Sequence, residues 1–158
     1  MPPLKVSAIL AIDALGGVAR DGKLPWSKTL EGRWDMRHFV ETTRGCTVVM
    51  GRATWETLEK PLPGRSNLVL TRNPDYQAEG ASVVHTTAEA LDAVGADGEL
   101  WVIGGPSTYE AFRDIVDTWV ITRFDKAYFC TTHYMPTIQD KKVVKTVNFE
   151  GGQVSYVT

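Results

Sequence analysis

The sequence is poor in the features that mark several large classes of protein. It has two cysteines, Cys46 and Cys130, in 158 residues. That is too few for a disulfide framework, so a reduced, cytoplasmic setting is the expectation. The three histidines, His38, His85 and His133, are spread along the chain, and no cysteine–histidine spacing marks a zinc site, so no metal is expected. No apolar run approaches the roughly 20 residues a bilayer span needs, and no membrane partner is expected. The opening stretch MPPLKVSAILAID has neither a basic leader nor a continuous signal core, which argues against export. A basic excess is missing as well. Seventeen Lys and Arg against nineteen Asp and Glu give a net charge of −2. That leaves no surplus to displace phosphate counterions, so nucleic acid is not an expected partner. No repeat, low-complexity tract or interdomain linker interrupts the chain.

What is present fits one domain over residues 1–158, with 43% hydrophobic and 23% charged residues and a core of ordinary size. Apolar, β-branched runs predict eight strands: LKVSAILAI, CTVVM, SNLVLT, ASVVH, ELWVIG, TWVITRF, KVVKTVNF and QVSYV. Helical patterns fall between them in LEGRWDMRHFVETTR, RATWETL, TAEALDAV and PSTYEAFRDI. Continuous apolar strands alternating with helices predict a three-layer α/β/α fold around a mixed, mostly parallel eight-stranded sheet. Gly151-Gly152 between the last two strand patterns marks a C-terminal antiparallel hairpin. The unremarkable surface composition favours a monomer, although a terminal edge strand can pair with a second chain.

Three places look built for chemistry. DALGGVARDGKLPWSKT is a long, glycine-rich connection of the kind that serves as a lid or binding loop. LWVIGGPSTYEAF runs a strand into two glycines, a proline and a helix start, which lets backbone approach a phosphate without the usual G-x-G-x-x-G spacing. The third is Asp35. On a helix it lies about 40° from Phe39, with Met36 and Val40 on the same arc, while Arg33, Arg37, His38 and Glu41 face the other way. A carboxylate at that margin is either a boundary residue reaching solvent or a binding group with a raised pKa. In the second case it suits a planar cation offering two N–H donors.

Ordered motifs then add up. LPW closes the glycine-rich loop, D-x-x-x-F follows in the first helix, and VVMGRATWETL, PLPGRSNLVLTR, VIGGPSTYEAF and WVITRFD…TTHY come after it. Together they resemble the dihydrofolate reductase family, in its bacterial and phage-type members. The resemblance implies an NADPH-dependent reduction of 7,8-dihydrofolate, with hydride delivered to C6 and a proton to N5. It implies that Asp35 is the carboxylate of the pterin pocket, supported by a hydrogen bond from Thr122, and that Trp26 sits at the pocket mouth and orders water. Ser7, Ala8, Met36, Phe39, Leu58, Leu62, Ile103 and Tyr109 are implied substrate neighbours. Arg65 is the implied clamp for the α-carboxylate of the glutamate tail, a bidentate task that suits guanidinium.

On the NADPH side the resemblance implies Ile9, Gly17, Leu24, Leu70 and Ile103. It adds the turn at Gly51, Arg52, Ala53 and Thr54, and the 2′-phosphate group of Arg52, Thr71 and Arg72. The diglycine turn through Gly104, Gly105, Pro106, Ser107, Thr108 and Tyr109 completes the set, with a cis Gly104–Gly105 peptide. The chain departs from the family pattern in several places. Pro106 replaces a third glycine, four extra residues separate Trp26 from Asp35, Ser7 stands at a usually aliphatic position and His38 at a usually aromatic one. Two other readings stay open: a same-fold reductase of a ribosylamino-pyrimidine, and a non-catalytic folate- or nucleotide-binding scaffold. The first has no need of Asp35 or Arg65, and the second has no need of the acid.

Overall fold

The computed structural model describes residues 4–94, 98–138 and 140–158. Ten strands and four helices follow in chain order among the described residues: β1 Lys5–Ile12, β2 Gly17–Ala19, α1 Leu30–Thr43, β3 Thr47–Gly51, α2 Arg52–Glu56, β4 Ser66–Leu70, β5 Ser82–Val84, α3 Thr87–Val94, β6 Glu99–Val102, α4 Pro106–Phe112, β7 Thr118–Phe124, β8 Thr132–His133, β9 Val143–Phe149 and β10 Gly152–Val157. The main sheet has the order β5-β4-β3-β6-β1-β7-β10-β9 and is mixed, as expected. β1–β6, β3–β6, β3–β4 and β4–β5 pair in parallel. β10 pairs antiparallel with both β7 and β9. All eight predicted strands are present in it.

The chain forms two compact units. One comprises Met1–Ala8 and Thr43–Asp117, the other Ile9–Thr42 and Thr118–Thr158. The first holds β3 to β6 with α2 to α4. Its strand interiors Val48, Val49, Met50, Leu68, Val69, Leu100 and Val102 are buried, because parallel strands covered on both faces need side chains that are apolar on both. The second holds α1, β7 and the β9–β10 hairpin, with Gly151 at φ +99° in its turn, a conformation that favours glycine. β9 is one of the two edge strands of the main sheet, and Val143 and Val144 on it are exposed.

The structure departs from the sequence reading at short elements. β2 lies inside the stretch expected to be loop, and it pairs with β8 as a separate two-stranded sheet. Strands of three and two residues carry no alternation to detect. α4 ends at Phe112, whose carbonyl accepts the amides of both Ile115 and Val116, so the predicted helical pattern through Ile115 is cut short. His38 was expected on the polar side of α1. Instead its ring stacks on Trp34 at 5.5 Å, and Trp34 stacks on Phe149 at 4.0 Å. Burial lowers the His38 pKa below its ordinary value, partly offset by Glu41.

Candidate active site

In the second unit α1 presents Asp35 to a cavity of about 180 Å³ lined also by Leu24, Trp26, Gly32, Arg33 and Met36. The residue keeps part of its surface, yet its carboxyl is strongly desolvated. Burial pushes its pKa up from 3.8 to about 6, and Thr122 pulls it slightly back. The Thr122 hydroxyl is buried with no other hydrogen-bond partner among the described residues. The expected support from Thr122 is present as a lowering of the Asp35 pKa of the kind a hydrogen bond gives. Met36 is 47% exposed, which makes it a lip of the cavity and not core. Phe39 is partly buried on the same helix.

Trp26, expected at the pocket mouth, lines the cavity with Asp35 while being only 1% exposed. Phe124 covers it at 4.8 Å and Tyr128 at 5.6 Å in an edge-on contact. Its Nε1–H is buried with no hydrogen-bond partner among the described residues. The extra residues before Asp35 have a local logic. Thr29 Oγ1 donates to the Trp26 carbonyl (2.8 Å) and accepts from the Gly32 amide (3.0 Å), so it caps the first turn of α1. A side chain at Gly32 has no room, since a Cβ there falls 1.8 Å from the Trp26 carbonyl oxygen. Glu31 accepts a hydrogen bond from the Tyr128 hydroxyl, with Lys126 Nζ at 3.8 Å. The inserted turn thus ties the start of α1 to the segment that covers Trp26.

A second carboxylate, Asp13, was not singled out from the sequence. It is 1% exposed. Its Oδ1 accepts from the Leu15 and Gly17 amides at 2.9 and 2.8 Å. Its Oδ2 accepts from the Tyr128 amide at 2.8 Å and lies 3.6 Å from the Cys130 thiol, which donates to it. Burial raises its pKa, but these donors together bring it below the usual value. The same contact, after burial, pushes the Cys130 thiol up to about 11. Gly17, an expected cofactor residue, lies in this clamp, and a Cβ there falls 2.4 Å from that of Cys130. The available signal was an aspartate at the end of an apolar strand before glycines, a setting for an Asx turn.

In the first unit the two glycine turns are joined directly. The Gly51 amide donates to the Gly104 carbonyl at 2.9 Å, and the Gly104–Gly105 peptide is cis. A Cβ on Gly51 falls 2.7 Å from the Thr108 hydroxyl. One on Gly104, which sits at φ +131°, reaches Tyr109 Oη at 3.5 Å and Thr54 Oγ1 at 3.7 Å. Only glycine allows so close an approach. α2 and α4 start at Gly51 and Gly105 with no side-chain cap. Pro106 at the start of α4 contributes no N–H, while Ser107 beside it is exposed. Thr108 and Tyr109 are buried, Ile103 is partly buried and Ala53 is exposed.

The arginines are held differently. Arg52 Nε is 4.0 Å from Glu56 Oε1, and its guanidinium lies 5.9 Å from the Tyr76 ring centroid. Tyr76 Oη donates to Glu56 Oε2 at 3.2 Å. The turn after β4 runs through Thr71 and exposed Arg72, with the Asn73 amide donating to Thr71 Oγ1 at 3.2 Å. His85 Nδ1 meets the Thr71 carbonyl at 2.8 Å. Arg65 is pinned by its Nε to the Pro63 carbonyl (2.9 Å) and by Nη1 to Thr43 Oγ1 (3.1 Å). Leu58, Leu62 and Leu70 are partly buried, and Ser7, Ala8 and Ile9 are buried in β1. Among the described residues no cluster could hold a metal ion, and no helix is long and apolar enough to cross a membrane.

A larger depression, about 520 Å³, is lined in the second unit by Arg123, Asp125, Asn148 and Gln153 among others. Several of its polar side chains are spent on the protein. Gln153 donates to Asn148 at 3.0 Å and Arg123 to the Ala14 carbonyl at 3.0 Å. The smaller cavity is the one that holds a desolvated acid.

Comparison with known proteins decides the family. A model of the family described as dihydrofolate reductase matches residues 5–153. The chain belongs to the dihydrofolate reductase family. The dihydrofolate reductase of Mycobacterium leprae (strain TN) is 38% identical over 123 residues, 76% of this chain and 72% of that one. The Staphylococcus aureus (strain Mu50) dihydrofolate reductase is 31% identical over 145 residues, 91% and 87% of the two chains. A structure of the Enterococcus faecalis dihydrofolate reductase complexed with NADP(H) and RAB-propyl superposes with a TM-score of 0.85. It is 32% identical, and the match covers 97% of this chain and 95% of that one.

Proposed function

We propose that this chain reduces 7,8-dihydrofolate to 5,6,7,8-tetrahydrofolate with NADPH. The observation that carries the reading is the desolvated Asp35 carboxyl, with a pKa of about 6, sharing a cavity with the indole of Trp26. When bound, NADPH supplies the hydride that adds to C6. Asp35 accepts the amino group and ring N–H of the pterin as a fork. In its protonated form it is the source of the proton that reaches N5 through a water, as the N5=C6 bond is reduced. The Trp26 Nε1–H, a donor with no partner among the described residues, fits the task of orienting that water. Leu24 and Met36 limit bulk access to the acid.

The first unit fits the nucleotide. Gly51 and Gly104 leave backbone open where a larger residue collides or strains, and the two helix starts carry no competing caps. Ser107 and Thr54 stand beside them as hydroxyl donors. Arg52, Thr71 and Arg72 are the binding set for the 2′-phosphate, with two guanidiniums favouring NADPH over NADH. Arg65 holds the α-carboxylate of the substrate tail. The protein works as a monomer in the cytoplasm and needs neither nucleic acid nor metal. The direct test follows NADPH absorbance with the purified protein. Oxidation stimulated by dihydrofolate is the expected result, and absence of stimulation overturns the reading.

A further inference from the structure

The backbone and the ring of Trp26 are held by different means. Its carbonyl accepts from Thr29 Oγ1 at 2.8 Å and from the Thr29 amide at 3.0 Å. Its indole is held by packing, with no hydrogen-bond partner for Nε1–H among the described residues and with Phe124 and Tyr128 against the ring. Phe124 is anchored in β7. Tyr128 lies in the connection between β7 and β8, yet its polar atoms are tied on three sides. Its amide donates to Asp13 Oδ2 at 2.8 Å, its carbonyl accepts from Arg20 Nη1 at 3.3 Å, and its hydroxyl donates to Glu31. Glu31 is confined in turn. Its side chain is 12% exposed, and a Cβ on Gly151 would fall 3.0 Å from the Glu31 Cβ. The hydrogen bond from Tyr128 is the first cause that lowers the Glu31 pKa, while burial and then Glu31 raise that of Tyr128. The pair is an ionised carboxylate and a neutral phenol, joined by a charge-assisted hydrogen bond.

We infer that Tyr128, anchored by Glu31, is a positioning residue: it fixes the Trp26 indole so that Nε1–H meets the water that carries the Asp35 proton to N5. This rests on the part proposed above for Trp26. Glu31 lies in the lengthened stretch between Trp26 and Asp35 and stands four residues before the acid on α1. That stretch therefore carries both the anchor and the proton source, and Tyr128 returns from the anchor to the ring of Trp26. An indole with no hydrogen bond of its own keeps its aim only as well as its neighbours hold still.

Single-turnover NADPH absorbance with dihydrofolate reads the chemical step apart from product release. Tyr128→Phe keeps the ring and removes the anchor. It should slow that step about fivefold, the effect of one hydrogen bond of ordinary strength, and leave the KM for NADPH unchanged. Glu31→Gln keeps an acceptor and should stay near the parent rate, while Glu31→Ala should match Tyr128→Phe. Joining Glu31→Ala to Tyr128→Phe should cost no more than either change alone, because both remove the same bond. The decisive comparison is made in a Trp26→Phe background, where no N–H remains to be aimed. There Tyr128→Phe should cost nothing further, whereas a purely structural role would add its cost in either background. A parent rate in Tyr128→Phe overturns the inference, and so does a cost that persists beside Trp26→Phe. In both cases the reading of Trp26 stands as long as Trp26→Phe itself is slow. A parent rate in Trp26→Phe removes Trp26 from the step, and the positioning role with it.

Discussion

Asp13 and Asp35 are two acids of the same compact unit with opposite electrostatics. Asp13 is the more hidden, at 1% exposure, yet its pKa lies below the usual value. Asp35 keeps some contact with the surface, and its pKa rises to about 6. Accessible surface therefore does not set the charge state. Donors do. Asp13 has three backbone amides and a thiol aimed at it. Asp35 has only Thr122 to lower its pKa. An acid with its donors supplied by the protein holds structure, and an acid left short of them is available to a ligand.

The largest expected effect falls on the unsatisfied acid. Asp35→Asn keeps the shape and removes the proton, so turnover at pH 7 drops by about a hundredfold or more. Steady-state rates with saturating NADPH and dihydrofolate check this. A variant with unchanged turnover makes Asp35 another structural acid and dissolves the contrast.

Asp13→Ala is the complementary cut. It leaves the buried amides of Leu15, Gly17 and Tyr128 without acceptors, for an expected loss of about 3 kcal/mol of stability. Chemical denaturation measures it. The linkage has a definite sign. The folded pKa of Asp13 is below the unfolded value, so its contribution is present above the unfolded pKa and is lost as pH falls through the folded one. The destabilisation caused by the substitution should therefore fade in acid.

Asp35 should show the reverse. Its folded pKa, about 6, exceeds the unfolded 3.8, so the folded state binds the proton more tightly. Its ionisation costs stability progressively as pH rises from about 4, and the full cost is reached above about 6. Asp35→Asn should then be more stable than the parent by about 1–3 kcal/mol at pH 8, and equal to it near pH 4. Proton supply follows the same titration, so turnover limited by the chemical step should fall as pH rises above about 6. Denaturation midpoints at the two pH values give the first result and a pH–rate profile the second.

The contrast also shows what the sequence could convey. The helix period set Asp35 at the margin of the apolar face, and only the family resemblance favoured a binding acid over a boundary residue. The eight sheet strands and the glycine turns were legible from local signals, a run of apolar residues or a residue with an unusual backbone range. Asp13 was not, because its donors come from Tyr128 and Cys130, more than a hundred positions away, and no local pattern encodes that pairing. β2 and β8 escaped for the same cause. His38 was misplaced because the stack on Trp34 and Phe149 recruits its ring into apolar packing, and periodicity alone does not report partners from β9. The burial of Trp26 depends on Phe124 and Tyr128, again a tertiary matter.

The smallest effect sharpens the comparison most finely. Among the described residues Thr122 is the side chain that lowers the Asp35 pKa, and its hydroxyl is buried with no other hydrogen-bond partner there. If donors decide an acid's fate, a hydroxyl with no other partner should matter little to stability and somewhat to charge. Thr122→Val exchanges the hydroxyl for a methyl of nearly the same size. The fold should be unchanged or more stable by less than about 1 kcal/mol, since an unsatisfied buried hydroxyl is removed. The pH–rate profile should move upward, because the one influence holding the Asp35 pKa down is gone. A large loss of stability would instead mean that Thr122 bonds firmly to Asp35, placing Asp35 closer to Asp13 in kind than its pKa implies.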